Sequence, residues 1–538
     1  MLHFFTRRRL LILTALFCVA FANHLSAQNN SLTRIYEPIV VAAGKLPALT
    51  NDTIKVFTAY RYNNGNFESV RFQIDEVDKD GKFLRESDAI ADTNDQIVFM
   101  PEETGDQAPP DKWVDGSADV RIELEVAEHP LINPNQKGWL YLFRNLKNPP
   151  KVKPHVRYSR GPVTAGTDTI IATSYIEAHD QQGWFYDTRI KAPYGDDQDI
   201  LDRQKVRADG RLFVPVSINE EDNVRYRFIR NGGGPVRVLR EYGINLTFAG
   251  ETLDSTGSFF TQYFPYNTTF SAQNVKIPKI NGLTVSSVRQ SVDLNERAAG
   301  MKFFNAFNSN ITVDGAPDSP IKTITDPPDG LNWLMITGNP GTIVTLMNVP
   351  VIGTKRELYY NDNSSTNSDD SGDKKSYGDA GLAISSPALG SSFSIDFTTY
   401  YIEKNQAGTV GSQFKDRALK PLQVTATKQT RSVTAVQDRT LLPTEFSLNE
   451  AQPNPFAPRQ GNVRLSFNIG PTTALPSLQI FNLLGQEVAR FEGANLLRNK
   501  AVLWEGRDRL GRLVPAGVYF YQLEVGRQRA VKKLVLIR

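Results

Sequence analysis

Val463-Arg464-Leu465-Ser466-Phe467-Asn468-Ile469 alternates apolar and polar side chains without a break. A period of two sets Val463, Leu465, Phe467 and Ile469 on one side of an extended strand, so this stretch predicts a strand with one face on a core. Leu478 with Ile480, Val488 with Phe491, Leu503 with Trp504, Tyr519 through Val525 and Val531 through Ile537 continue the pattern as short apolar runs between Gly and Pro turn signals. Six or seven such strands between Pro443 and Arg538 predict a small sandwich. Gly485 and Gly511 fall where strands must reverse, and glycine takes positive φ without steric penalty. Pro453 and Pro455 cannot donate to a ladder and should fix an extended segment ahead of the first long strand. Asn454 between them is expected to bond its own backbone.

Pro453-Asn454-Pro455-Phe456, Asn482-Leu483-Leu484-Gly485-Gln486-Glu487-Val488, Trp504-Glu505-Gly506-Arg507-Asp508 and Gly511 through Tyr521, which includes Gly517, follow one another in this order. A basic-apolar end, Lys532 to Arg538, closes the chain as given. At these motifs residues 443–538 resemble the C-terminal sorting domains of the type IX secretion system, which share an Ig-like fold with the flagellar hook-capping family. The resemblance implies a domain that folds in the periplasm and is recognised by an outer-membrane translocon and its sortase. It implies export, with the cargo then released or attached to surface lipopolysaccharide, and no catalysis by the domain itself.

Residues 1–27 have the three parts of a signal peptide: Arg7-Arg8-Arg9, the apolar run Leu10 to Ala22, and a polar segment ending in Leu25-Ser26-Ala27. The expected location is secreted or cell surface, via the periplasm. No later segment approaches the roughly 20 apolar residues of a membrane helix, so no transmembrane segment is expected in the mature chain. Cys18, the one cysteine, stands in the leader, which leaves the mature chain to rely on buried apolar area rather than disulfides. Of the 61 basic side chains, set against 58 acidic ones, three also stand in the leader, so the exported chain is balanced. That balance offers no clustered basic surface for nucleic acid.

Upstream, short runs rich in Val, Ile, Phe, Tyr and Thr are bounded by hairpin signals at Asn64-Gly65, Asp80-Gly81, Asp209-Gly210, Asn281-Gly282 and Asp314-Gly315. The expected fold class is therefore all-β and multi-domain: a β-sandwich over 31–148, a large central double-sheet β domain over 156–403, and the C-terminal Ig-like sandwich over 443–538. The proline-rich stretch 148–154 reads as a joint, and 404–442, poor in large apolar residues, as a flexible linker. Arg237-Val238-Leu239-Arg240-Glu241, followed by the aromatic run at 259–270, faintly resembles the supersandwich domains of galactose-mutarotase-like proteins and polysaccharide lyases, with no catalytic motif in common.

Candidate chemistry is sparse. His129, His155 and His179 form no metal-ligand pair, no G-x-S-x-G elbow occurs, and Gly232-Gly233-Gly234 precedes a strand rather than the helix a phosphate cradle needs. Tyr175 to Asp187 gathers Glu177, His179 and Tyr186, the candidate catalytic or sugar-contacting residues; packing of their aromatic neighbours into a core is the alternative. Phe259 to Tyr266 is likewise a stacking platform or core. The loop 361–379 offers Asp369, Asp370 and Asp373 as calcium ligands without EF-hand spacing, against the reading of a solvated loop. The function expected is a surface protein whose cargo binds glycan or matrix. The alternatives are an extracellular polysaccharide lyase or hydrolase with its site in the central domain, and a structural envelope protein.

Overall fold

The computed structural model describes residues 28–46, 57–79, 89–144, 148–161, 167–180, 183–248, 251–277, 281–318, 330–348, 355–431, 446–469, 474–493, 500–526 and 528–537, with scattered residues between. The expected signal peptide 1–27 and residues 432–445 lie outside them. Contacts divide the chain into two compact units, 1–432 and 433–538. Both are built of antiparallel sheets, so the protein is all-β with several β domains.

In the first unit, a three-stranded sheet (Ile39–Ala42, Gln96–Phe99, Gln73–Asp75) shares a core with a five-stranded one ordered Gln423–Thr430, Val120–Ala127, Lys137–Arg144, Phe57–Asn63, Asn66–Ser69. Ile97, Phe99, Ile122, Leu124 and Leu142 fill the space between them. Asn64 and Gly65, at φ 48° and 84°, turn the hairpin of the last two strands. The outermost strand corrects the expectation of a flexible linker at 404–442 over its described part, 404–431. Gln423–Thr430 pairs along its whole length with Val120–Ala127, and Val424 and Ala426 pack on the core. Two modest apolar residues at a spacing of two suffice here, because neighbouring strands supply the rest of the burial. Just before it, the helix Val410–Leu419 seats Phe414 against Tyr400, ring centroids 4.5 Å apart.

Three further sheets share one core. The largest has nine strands in the order Val224–Gly233, Val238–Phe248, Glu251–Tyr263, Asn267–Lys276, Ser392–Ile402, Gly341–Asn348, Leu331–Gly338, Lys302–Asn305, Ile311–Thr312. A second five-stranded sheet runs Val214–Ile218, Leu201–Leu212, Leu283–Leu294, Ser376–Ser385, Lys355–Asn363. A four-stranded sheet runs Phe185–Ile190, Tyr175–His179, Asp168–Ile171, Arg157–Arg160. Tyr263 and Ile336, Leu294 and Leu382, and Ile170 and Tyr175 bring the three together. Asp209-Gly210, expected to turn a hairpin, instead lies inside a strand at a register shift. A Cβ on Gly210 would stand 2.3 Å from the Thr284 carbonyl oxygen, so glycine serves close approach there, and the chain reverses at Phe213. Arg237, fully buried, ties the central sheets to the N-terminal ones through Asp75 and Gln96 (2.9 Å), and also bonds Gln262 (2.7 Å) of the nine-stranded sheet.

The second unit is a seven-stranded sandwich of a three-stranded sheet (Ser447–Leu448, Val463–Asn468, Ala501–Trp504) and a four-stranded one (Glu487–Glu492, Ser477–Asn482, Gly517–Val525, Gln528–Leu536). Val463, Leu465, Phe467 and Ile469 all point into its core, as their alternation predicts. In the run around Leu503 and Trp504, Val502 and Trp504 take the inward positions and Leu503 is exposed. Asn454 also differs from expectation. Its amide bonds the last strand, accepting from Val535 N at 2.9 Å and donating to Lys533 O at 3.1 Å, so it pins the leading segment across the sheet.

Candidate functional site

Glu177 and His179 point inward from the strand Tyr175–His179, and both are completely buried. Asp168, on the neighbouring strand, lies directly opposite His179 in the register. The nine-stranded sheet contributes Arg240, Tyr263 and Tyr401. His179 Nδ1 stands 2.8 Å from Asp168 Oδ1, off the line of a straight hydrogen bond, and its Nε2 is 3.0 Å from the Tyr263 hydroxyl. Arg240 Nε donates to Asp168 Oδ2 at 3.0 Å, and Tyr158 donates to the same oxygen at 2.9 Å. The Tyr401 hydroxyl donates to Glu177 Oε1 at 2.6 Å, while Oε2 is enclosed without a partner.

Burial sets the charge states. It pushes the Glu177 carboxyl up to about 7 against the opposing pull of Tyr401 and Arg240, so this carboxyl holds a proton over much of the acid range. It pulls the His179 imidazole down to about 4, with Arg240 adding repulsion and Asp168 resisting. Desolvation disfavours ionisation of Asp168 too, but His179 and Arg240 outweigh it and hold that carboxyl at about 2. At neutral pH the cluster is thus an Asp168–Arg240 ion pair beside a neutral imidazole. Such a network orders a core; with no exposed atom on Glu177 or His179, neither side chain meets a dissolved polymer.

Tyr186 is half exposed on the adjoining strand and makes none of these contacts. Trp184 is buried against Tyr226, and in the run Phe259 to Tyr266 the residues Phe259, Tyr263, Phe264 and Tyr266 are all core. The three loop aspartates do not converge. Asp370 accepts from Lys205 Nζ at 2.8 Å and from Arg207 at 3.0 Å, whereas Asp369 and Asp373 are exposed: Asp369 N donates to Asn367 Oδ1 at 3.1 Å, and Asp373 Oδ1 accepts from Lys375 N at 2.8 Å. Lys205, fully buried, also bonds Asp293 at 2.6 Å and approaches Asp379 at 3.9 Å. Burial opposes its charge, but these carboxylates hold its proton firmly. Among the described residues the group able to hold a metal ion lies elsewhere. Ligand atoms of Glu102, Glu103 and His155 fall within 4.8 Å of one another, with His155 Nε2 already 2.6 Å from Glu103 and Arg71 3.2 Å from the same oxygen.

The motif residues of the second unit divide into core and turns. Phe456, Trp504 and Tyr519 pack together, Trp504 lying 6.3 and 5.8 Å from the other two rings. Two turns are built alike. Asn482 Oδ1 accepts from Leu484 N and Gln486 N, both at 3.0 Å, and Gly485 follows at φ 76°. Asp508 Oδ1 accepts from Leu510 N and Arg512 N, both at 2.9 Å, and Gly511 follows at φ 76°. Each device needs an acceptor side chain at the first position and a residue tolerant of positive φ at the fourth. Each lifts a leucine into solvent, Leu484 at 83% and Leu510 at 75% exposure. Both turns, with Pro515 to Tyr519, border one groove of about 530 Å³.

No protein-family profile matches the chain, and no curated protein matches it. Among solved structures the chain is similar to a glycosyl hydrolase family 38 protein from Enterococcus faecalis, at 10% identity over 84% of this chain and 55% of that one, with TM-score 0.32. It is also similar to dimeric latent PorU from Porphyromonas gingivalis (9% identity, 75% of this chain and 36% of that one, TM-score 0.16). A third is PorZ of the same organism, a surface component of the type IX secretion system (12% identity, 74% and 73%, TM-score 0.14). The chain spans about half the length of the family 38 protein.

Proposed function

We propose that this chain is a secreted or cell-surface protein handed over the outer membrane by a type IX translocon, its C-terminal sandwich serving as the part the machinery reads. The observation that carries the reading is the pair of like-built turns. Two of the ordered motifs exist to hold Leu484 and Leu510 outward around one groove, on a unit with its own core. Isolated exposed leucines need no explanation, but paired ones raised by dedicated turns at a groove suit recognition by another protein. The cargo is a binding body rather than an enzyme. Supporting that choice, Glu177 and His179 are sealed, and the exposed Tyr186 stands apart from them. Glycan or matrix is the ligand class assigned to its exterior, and a glycan array checks that part.

Deleting residues 443–538 should leave leader-cleaved protein in the periplasm, as read by cell fractionation. Surface delivery of the truncated chain at the full-length amount defeats the proposal. A narrower variant, Leu484→Asp with Leu510→Asp, should block delivery while the sandwich melts as before.

A further inference from the structure

We infer that the central β domain of the cargo is a carrier for a single long fatty acyl chain bearing an anionic head. Facing sheets normally interdigitate their inner side chains across about 10 Å and leave almost no void. Here the nine-stranded sheet and the five-stranded sheet that holds Leu201–Leu212 enclose a cavity of about 320 Å³. Ile244, Phe259, Phe270 and Ile395 line it from one side, Val288 and Leu382 from the other. Proteins tolerate apolar voids of about 150 Å³ only at a cost, and such voids stay dry or take apolar guests. Water is a poor occupant, because each molecule needs two to four polar partners. Tyr226 apart, the polar side chains in the described lining are Asp209, Lys276, Arg289 and Gln290. Asp209 is engaged by the hydroxyls of Ser217 (2.7 Å) and Ser287 (3.2 Å), and Arg289 lies 4.0 Å over the Tyr359 ring.

The shape selects a chain rather than a compact guest. A second void of about 100 Å³ shares Phe270, Gln290 and Phe397 with the first, so the free space is extended along the sandwich. The lining includes Asp209 and Lys276, both exposed, and the mouth is assigned to that end. Leu212, also in the lining, leads into the hairpin tip, where Phe213 and Val214 are 85% and 62% exposed. An apolar lip beside an apolar cavity suits uptake of an amphiphile. Lys276, a lining residue exposed to solvent, is the cation assigned to a carboxylate or phosphate head.

The mature full chain titrated with a dansyl-labelled undecanoic acid should give saturable binding at one site per chain, displaced by oleate. Val288→Trp, which fills the cavity, should weaken binding at least tenfold with an unchanged melting temperature. Lys276→Glu should weaken oleate several-fold and leave oleyl alcohol unaffected. Vesicles carrying a fluorescent anionic phospholipid, set beside the free acid, identify the donor, and uptake from either one supports the site. No saturable signal from either donor, equal binding by Val288→Trp, or a large fall in that variant's melting temperature overturns the inference. Equal loss of acid and alcohol in Lys276→Glu overturns the role of the head.

Discussion

Replacing Glu177 by Gln tests the charge states of the buried cluster with almost no change of shape. The amide keeps an acceptor for the Tyr401 hydroxyl, now 2.6 Å from Oε1, but cannot ionise. In the wild type the carboxyl titrates at about 7 in the folded chain against 4.5 ordinarily. A folded value above the unfolded one means that its contribution is fully present below pH 4.5 and is lost as pH rises through about 7. At about 1.36 kcal/mol per pH unit, that loss approaches 3 kcal/mol by pH 8. Glu177→Gln lacks this loss, so its stability relative to wild type should rise by about 3 kcal/mol between pH 4 and pH 8, whatever constant offset the amide brings. The histidine acts in the opposite sense. His179, lowered to about 4, costs stability as pH falls from 6.5, and Asp168, held at about 2, does so only in stronger acid. Those terms are common to both proteins and cancel in the difference. Guanidinium unfolding followed by tryptophan fluorescence serves as the assay, since four of the five tryptophans belong to the first unit. A difference between the two proteins that stays flat across the range refutes the argument.

Two further substitutions probe the other buried structures. Lys205→Met leaves Asp293, Asp370 and Asp379 without their shared cation and should cost about 3–5 kcal/mol at neutral pH, with the deficit shrinking in acid as the carboxyls take protons; denaturant midpoints at two pH values check this. Trp504→Ala removes the ring between Phe456 and Tyr519 and should destabilise the second unit by about 3–5 kcal/mol. Calorimetry should show the first unit's transition unmoved.

The parts legible in the sequence are those whose cause is local. Alternation at Val463 to Ile469 set the burial of that strand correctly, because a period of two is a property of the chain itself. The glycines at 485 and 511 were legible as turns for the same reason. Asn454 was misjudged because its partner is 81 residues away, on the last strand. The stretch 404–430 was misjudged because its burial is supplied by a strand nearly 300 residues earlier. The run Leu503-Trp504 reads only as apolar; the period of two puts Trp504 and Val502 on the core side and Leu503 on the other.

The candidate site was half visible for a related physical reason. Glu177 and His179 stand out in the sequence as polar groups among aromatics, yet their burial depends on Arg240, Tyr263 and Tyr401, which return from 61 to 224 residues further along. One signal was present. In Arg237-Val238-Leu239-Arg240-Glu241, a run that leads into a core strand carries two arginines, and both are buried against carboxylates. A charged side chain within a buried strand demands a counter-charge on whatever faces it, since desolvation costs several kcal/mol otherwise. Arg240 therefore called for Asp168 or its like, just as Lys205 called for Asp293. The same logic separates the two halves of the central sandwich. Where charges are matched, the buried carboxylates and cations pair across the fold, and where aliphatic and aromatic side chains face one another, around Val288, Ile244 and Phe259, the cavity of about 320 Å³ lies between the sheets.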